Sequence, residues 1–267
     1  MSARTVRGLN AVSRTLLIPL YIRAMESRRP DAIVRDPKAL ELVGRLDYDF
    51  SLVRSRREGD RVNMLLRMRE FDRLARAFLA EYPDGTVVDL GCGLDTRFER
   101  IDNGRAEWFG IDLPEVIELR KDLIEETPRS RCIGRSALDL SWMDALSRRE
   151  GRRFLFLAEG VLYYLKEGDV KTLVRGLAGR FPGAELAFDV YSPVVIRYHP
   201  HPPDVPMVHW GLKDDREVEA WAPGVRLLDR RYYFDRAEPR LGVYRLVLFI
   251  PFFAKVVRIV HYRLGER

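Results

Sequence analysis

Two glycines one residue apart, Gly91 and Gly93, follow the apolar run Val87-Val88-Asp89-Leu90. An acidic residue, Asp112, closes the next apolar run about 20 residues on. Glycines after a buried strand let a ligand approach the backbone, and a carboxylate ending the neighbouring strand can accept hydrogen bonds from both hydroxyls of a ribose. A solvent-exposed strand-end carboxylate is the alternative for Asp112. Dinucleotide sites carry a third glycine three residues after the second, where helix and strand pack beside a pyrophosphate; here that position is Thr96. The pattern therefore favours a nucleoside ligand without phosphates over NAD or FAD. S-adenosylmethionine is such a ligand, because its amino-acid end and ribose need close backbone approach and carboxylate partners, not an anion cradle.

Other reactive residue types form no familiar constellation. His199, His201 and His209 have no zinc-ligand spacing and no acidic or cysteine cluster, and Pro200 separates the first two, so no metal is expected. Ser192 lacks the setting of a nucleophile elbow, which argues against hydrolase chemistry. Cys92 and Cys132 are too few for a disulfide framework and fit a reducing, cytoplasmic setting. Arg197 follows the fifth expected strand, at the sheet edge that receives substrates, and is a candidate clamp for a substrate carboxylate; a surface arginine is the alternative.

The elements that must position these residues are legible from periodicity. Residues 1–83 read as a helical cap. Val62, Leu65, Leu66, Phe71, Leu74, Ala75, Phe78 and Leu79 recur at helical steps until Pro83-Asp84-Gly85 stops them. Residues 84–191 alternate strand and helix, with strands at the opening run, Glu107 to Leu113, Arg131 to Ser136, Phe154 to Ala158 and Glu185 to Tyr191. Pro114 fits the first turn of one helix, and Val170 to Phe181 form the stripe of another. Residues 192–224, rich in proline at their start, read as a lid insertion. Residues 225–267 supply two closing strands, Val225 to Phe234 and Val256 to Leu264, expected as an antiparallel pair at one edge with a solvated basic face, the alternative being a tail that docks on an anionic membrane. The fold expected is a single α/β domain: a doubly wound, Rossmann-like, mostly parallel sheet with an antiparallel edge.

With 267 residues, 46% hydrophobic and 32% charged, the chain has the balance of one globular domain, without repeats or low-complexity tracts. Basic residues outnumber acidic ones, 46 to 40, but are spread along the chain, so no nucleic-acid partner is expected. The apolar runs Thr15 to Ile22 and Leu246 to Ala254 are shorter than the roughly 20 residues of a transmembrane helix.

Four ordered motifs carry a resemblance. Asp89-Leu90-Gly91-Cys92-Gly93-Leu94-Asp95-Thr96-Arg97, then Asp112-Leu113-Pro114-Glu115-Val116, then Ser136-Ala137-Leu138-Asp139-Leu140-Ser141-Trp142, then Ala158-Glu159-Gly160-Val161-Leu162-Tyr163-Tyr164-Leu165 resemble the leucine carboxyl methyltransferase superfamily. The nearer likeness is to its bacterial branch, with the polyketide O-methyltransferases of the tetracenomycin type. The resemblance implies a class I methyltransferase fold and S-adenosylmethionine as cofactor. It also implies roles position by position. Gly91 and Gly93 would face the methionine part with Asp89 supporting the loop, and Asp112, beside Leu113, would hold the ribose. Asp139 and Leu140 would flank the adenine, and Glu159 would lie near the amino or ribose end. An arginine of the cap helix, Arg67 or Arg69 with Arg67 preferred, would bind the cofactor carboxylate, and Tyr164 would face the pocket or pack under the lid. Two departures stand out: Met68 sits between those arginines where the family has threonine, and Lys166 replaces a capping threonine.

Methyl transfer from a sulfonium is an in-line displacement that depends on alignment and exclusion of water. A carboxylate acceptor needs no general base, whereas a phenol of pKa about 10 does. The function expected is S-adenosylmethionine-dependent O-methylation of a carboxylate or hydroxyl on a small, polyketide-like metabolite. The alternatives are methylation of a protein C-terminal carboxylate and a non-catalytic cofactor- or nucleic-acid-binding protein.

Overall fold

The computed structural model describes residues 4–5, 9–54, 56–147, 151–198, 207–232, 238–242, 244–247, 249 and 255–266. Its centre is a seven-stranded sheet: β1 (Thr86–Leu90), β2 (Glu107–Asp112), β3 (Ser130–Gly134), β4 (Phe154–Ala158), β5 (Ala184–Tyr191), β6 (Arg226–Tyr232) and β7 (Val257–Leu264). The strand order is β3-β2-β1-β4-β5-β7-β6. The first five strands are parallel, and β7 runs antiparallel between β5 and β6. Every residue of β1 and β4 is buried, as strands covered on both faces require. The order reverses between β1 and β4, so a crevice opens beyond their carboxyl ends.

Helices lie on both faces. Six matter to the site: α1 (Leu17–Glu26), α2 (Pro37–Arg45), α3 (Glu58–Glu81), α4 (Arg97–Ile101), α5 (Pro114–Leu123) and α6 (Glu167–Arg180). Phe71, Leu74 and Phe78 of α3 cover Val87, Trp108 and Leu155 on one face. Leu173, Val174 and Leu177 of α6 cover Val88, Phe109 and Phe156 on the other. The cap, α1 and α2, packs on α3 and α5 through Leu20, Leu42, Leu65 and Val116. Asp36 caps α2 by accepting from the Ala39 amide, and Pro37 and Pro114 open their helices where no intrahelical N–H is needed.

The C-terminal third differs from expectation. Ser192 onward begins with a short helix, Pro193–Tyr198; the rest of the proline-rich stretch, with His199 and His201, lies outside the described residues. Residues 207–224 of the expected lid contribute to the core instead. Trp210, Leu212, Val218 and Trp221 are buried against the same face as α6, so their apolar area is used in packing, not in covering a site. The closing strands pair antiparallel at one edge, β7 on the inside and β6 outermost. The basic residues of β7 are not all solvated. Arg258 is buried and paired with Asp215 at 2.6 Å, and His261 meets Glu185 at 2.8 Å. Among the described residues no helix is long and apolar enough to cross a membrane.

Candidate cofactor and acceptor site

The loop after β1 is built to be rigid. Gly91 and Gly93 have φ of 72° and 46°, a conformation that costs other residues roughly 1–2 kcal/mol. The Gly91 and Cys92 amides both donate to the Ile111 carbonyl at the end of β2 (2.7 and 3.2 Å). Gly93 donates to Asp112 Oδ2 and Leu113 to Asp112 Oδ1, each at 2.7 Å, so one carboxylate joins the two strand ends. Burial keeps the Asp112 pKa above the usual carboxylate range despite these donors. A Cβ on Gly91 would stand 2.3 Å from Val161 Cγ2. Gly91→Ala is therefore expected to displace the loop, lower the melting temperature and weaken S-adenosylhomocysteine binding at least tenfold by calorimetry.

Beyond this loop lies a cavity of about 740 Å³. Its floor is the loop and the ends of β1, β2 and β4; α3 forms one wall, and Ser13 to Pro19 lie across the top. Leu16 Cβ comes within 3.2 Å of where a Gly93 Cβ would be, so the N-terminal segment closes directly on the glycines. Gly91, Gly93, Asp89, Asp112, Leu113, Glu159, Arg67 and Tyr164 all line this space.

Glu159 is the bridge of a buried ionic network. Its Oε1 accepts from Arg67 Nε (3.0 Å) and its Oε2 from Arg97 Nη2 (2.5 Å). Arg67 also reaches Asp189 Oδ2 (3.1 Å), while Asp189 Oδ1 accepts from the Gly160 amide (2.7 Å). Arg97, its side chain 1% exposed, continues to Asp72 (2.8 Å), Asp95 (2.6 Å) and Asp89 (3.4 Å). Arg100 links Asp72 to Asp36, and Asp36 holds Arg23, whose Nη2 donates to the Leu94 carbonyl. The network fixes cap and glycine loop as one body. Burial pushes the Asp89 carboxyl up to about 6, although Arg97 and Trp108 Nε1 oppose it, whereas the cluster of guanidinium groups holds Asp95 well below the usual range.

Several expected site residues lie elsewhere. Arg69 does not line the cavity, because two residues along a helix turn the side chain by about 200°, away from Arg67. The Asp139 side chain is turned to Ser141, accepting from its amide at 3.1 Å as the cap of a short helix, and pairs with Arg135 on the surface. Leu140 packs in the core over Gly176. The wall expected from that pair is formed by Ser136, Ala137 and Leu138. Arg197 is exposed on its short helix and is not part of the wall. His209 is exposed, and its backbone amide donates to the Tyr163 carbonyl. No group of histidine, cysteine and acidic side chains among the described residues could hold a metal ion.

Some wall residues carry no sequence signal of their own. Asp60, Asn63 and Met64 join Arg67 on one face of α3, at the spacing of neighbouring helical turns. Tyr244 arrives from the far end of the chain and donates to Asp60 Oδ1 at 2.7 Å. Its approach is fixed by Arg240, which binds both Glu26 oxygens at 2.9 and 3.1 Å. Tyr163 packs edge-on against Tyr164 and Tyr191. Burial raises all three phenols, Tyr191 to about 12. They remain neutral at physiological pH.

The donor set suits a nucleoside bearing an amino acid: a strand-end carboxylate, close backbone, apolar Leu113 and Leu138, and the Arg67–Glu159 pair. A sequence model of the family described as leucine carboxyl methyltransferase matches residues 17–178, more than half of the chain. The chain belongs to this family. It is 36% identical over 231 residues to a tetracenomycin polyketide synthesis O-methyltransferase of Streptomyces glaucescens, covering 85% of this chain and 84% of the relative. It is also 29% identical to an S-adenosylmethionine-dependent methyltransferase of Gibberella zeae, covering 88% and 87%. An N-methyltransferase of Bradyrhizobium japonicum solved with S-adenosylhomocysteine aligns with a TM-score of 0.52 at 16% identity, over 86% of this chain and 100% of that one. That likeness shows the fold: the class I, Rossmann-like methyltransferase sheet. This family member is an S-adenosylmethionine-dependent methyltransferase.

Proposed function

We propose that the enzyme transfers a methyl group to a carboxylate oxygen of a small, aromatic, polyketide-like metabolite. The observation that carries this is the composition of the chamber beside the glycine loop. Its sides are Tyr164, Tyr191, Tyr244 and Met64, large faces suited to a planar ring. Its acidic groups among the described residues are all engaged: Glu159 by Arg67 and Arg97, Asp89 by Arg97 and Trp108, Asp95 by Arg97 and Arg100, Asp112 by two backbone amides, Asp60 by Tyr244. Among the described residues no histidine lines it, and the buried tyrosines stay protonated. A hydroxyl acceptor would want a free base, and a carboxylate wants none. The relative from Streptomyces, by its name an O-methyltransferase of polyketide synthesis, supports the same class.

S-adenosylmethionine, when bound, supplies a methyl group on a sulfonium that leaves as the sulfur becomes neutral. In the proposed site Gly91 and Gly93 hold the methionine end, supported by Asp89, and Asp112 takes the ribose hydroxyls. Leu113 and Leu138 cover the adenine. Arg67 faces the cofactor carboxylate, and Glu159 its ammonium. Tyr164 and Tyr244 orient the acceptor ring, and the segment from Ser13 to Pro19 excludes water, so that alignment does most of the work.

The test is a set of aromatic compounds bearing a carboxylate, a phenol or both, incubated with S-adenosylmethionine and read by mass spectrometry; a peptide with a free C-terminus is included. The expected product is a methyl ester, formed at a rate that is flat between about pH 6 and pH 9, since the acceptor is ionised throughout. Methylation of a phenol with a rate that climbs toward its pKa, or of the peptide alone, would overturn the assignment.

A further inference from the structure

The two thiols of the chain meet behind the glycine loop. Cys132 on β3 pairs in register with Gly110 on β2, and Cys92, between the two glycines, lies over that same residue. A Cβ on Gly110 would stand 2.7 Å from Cys92 Sγ and 3.4 Å from Cys132 Sγ. The missing side chain thus leaves one slot that both sulfurs share, with the Cys92 thiol donating to the Cys132 sulfur. Cys92 is buried; Cys132 is only partly so, and a small oxidant reaches it first. Arg120 closes the group. Its Nη1 donates to the Gly93 and Asp95 carbonyls at 3.0 and 2.6 Å, and its positive charge favours a thiolate at Cys132. The hydrogen bond from Cys92, aided by Arg120, brings the Cys132 thiol down to about 6, within the range of reactive thiolates.

We propose that Cys132 and Cys92 form a peroxide-sensitive thiol pair whose disulfide disables the cofactor loop. The Cys132 thiolate attacks one peroxide oxygen; the O–O bond breaks, and the chain carries a sulfenic acid while the other oxygen leaves as water after taking a proton. The Cys92 sulfur then attacks the Cys132 sulfur, the S–O bond breaks and a second water departs. The dithiol has lost two electrons and two protons, and the peroxide has gained them. A disulfide needs its Cβ atoms about 3.8 Å apart, so its formation draws Cys92 toward β3. That pull acts on the amides held by Ile111 and Asp112. It also removes the thiolate facing Arg120, so the guanidinium that holds the Gly93 and Asp95 carbonyls loses that counter-charge. The effect on binding rests on the loop being the S-adenosylmethionine site. Disulfides of reducing compartments are commonly of this transient, sensing kind.

The experiment treats the full chain with hydrogen peroxide. Digestion without reductant should yield a Cys92–Cys132 linked peptide lighter by two hydrogens. Calorimetry with S-adenosylhomocysteine should show affinity at least tenfold weaker than in the reduced protein and restored by dithiothreitol. Cys132→Ser, with Cys132→Ala as a second variant and thermal melts as the check on folding, should keep its affinity through the treatment. Thiols that survive peroxide, oxidation without a crosslink, or a crosslinked protein that binds as tightly as the reduced one would each overturn the proposal. If the reduced parent does not bind S-adenosylhomocysteine, the cofactor assignment fails instead, and the crosslink still decides the thiol chemistry.

Discussion

Asp112→Ala is expected to weaken S-adenosylhomocysteine binding about 100-fold in calorimetry, a loss of about 2.7 kcal/mol. Two contributions add at this residue. In the proposed site its carboxylate takes the ribose hydroxyls, and it also accepts from the Gly93 and Leu113 amides. Without it the Gly93 amide has no partner, and the loop loses its tie to the end of β2. Asp112→Asn separates the two effects. The amide oxygen can keep the Leu113 contact, but the NH2 group faces the Gly93 N–H as a second donor, so at least a tenfold loss is expected. The raised pKa sets the pH dependence: Asp112 protonates at a higher pH than an ordinary carboxylate, so affinity falls earlier on acidification. Binding by Asp112→Ala within threefold of the parent would mean that neither the ribose contact nor the tie matters.

Asp112 is also a measure of what the sequence reveals. Its position at a strand end can be read because β2, like β1 and β4, is an apolar run buried on both faces, bounded by turn residues. The same holds for α3 and α6, where apolar stripes give the face. The doubly wound fold class and the glycine loop follow from these elements. What a one-dimensional pattern cannot carry is the partner of each polar group. Asp139 is an acid at the right place in a motif, yet its nearest backbone amide, two residues on, captures it as a cap. Leu140 turns inward because Gly176 leaves room for it. The reverse error concerns residues 207–224, where a prolines-first segment reads as a lid although its tryptophans point to core. Tyr244 reaches the cavity from a segment tied down by its own bond to Asp60 and by Arg240 on Glu26, contacts spanning most of the chain. Arg97 lies inside the most recognisable motif, but periodicity has no place for a buried cation.

Arg97 is where the second large effect is expected. Arg97→Met should cost about 3–5 kcal/mol of stability, because it leaves the buried carboxylates of Asp72, Asp89, Asp95 and Glu159 without their shared counter-charge. In a domain of this size that corresponds to a melting temperature lower by about 10 °C. Arg97→Lys should recover little of it, since a single ammonium cannot span partners approached from three guanidinium nitrogens. The pH dependence should then change sign. In the parent, Asp95 and Asp72 are held below the usual range, so their contribution is present at neutral pH and lost only as pH falls through those depressed values. Asp89, raised to about 6, works the other way, and its protonation relieves a cost as pH falls below 6. Removing Arg97 leaves Asp72 and Asp95 with Arg100 alone within ion-pair distance, so both shift upward toward the third. The variant should therefore gain stability relative to the parent between pH 7 and pH 5 in thermal melts, and a gap that stays constant across that range would show that the network's charges are balanced without Arg97.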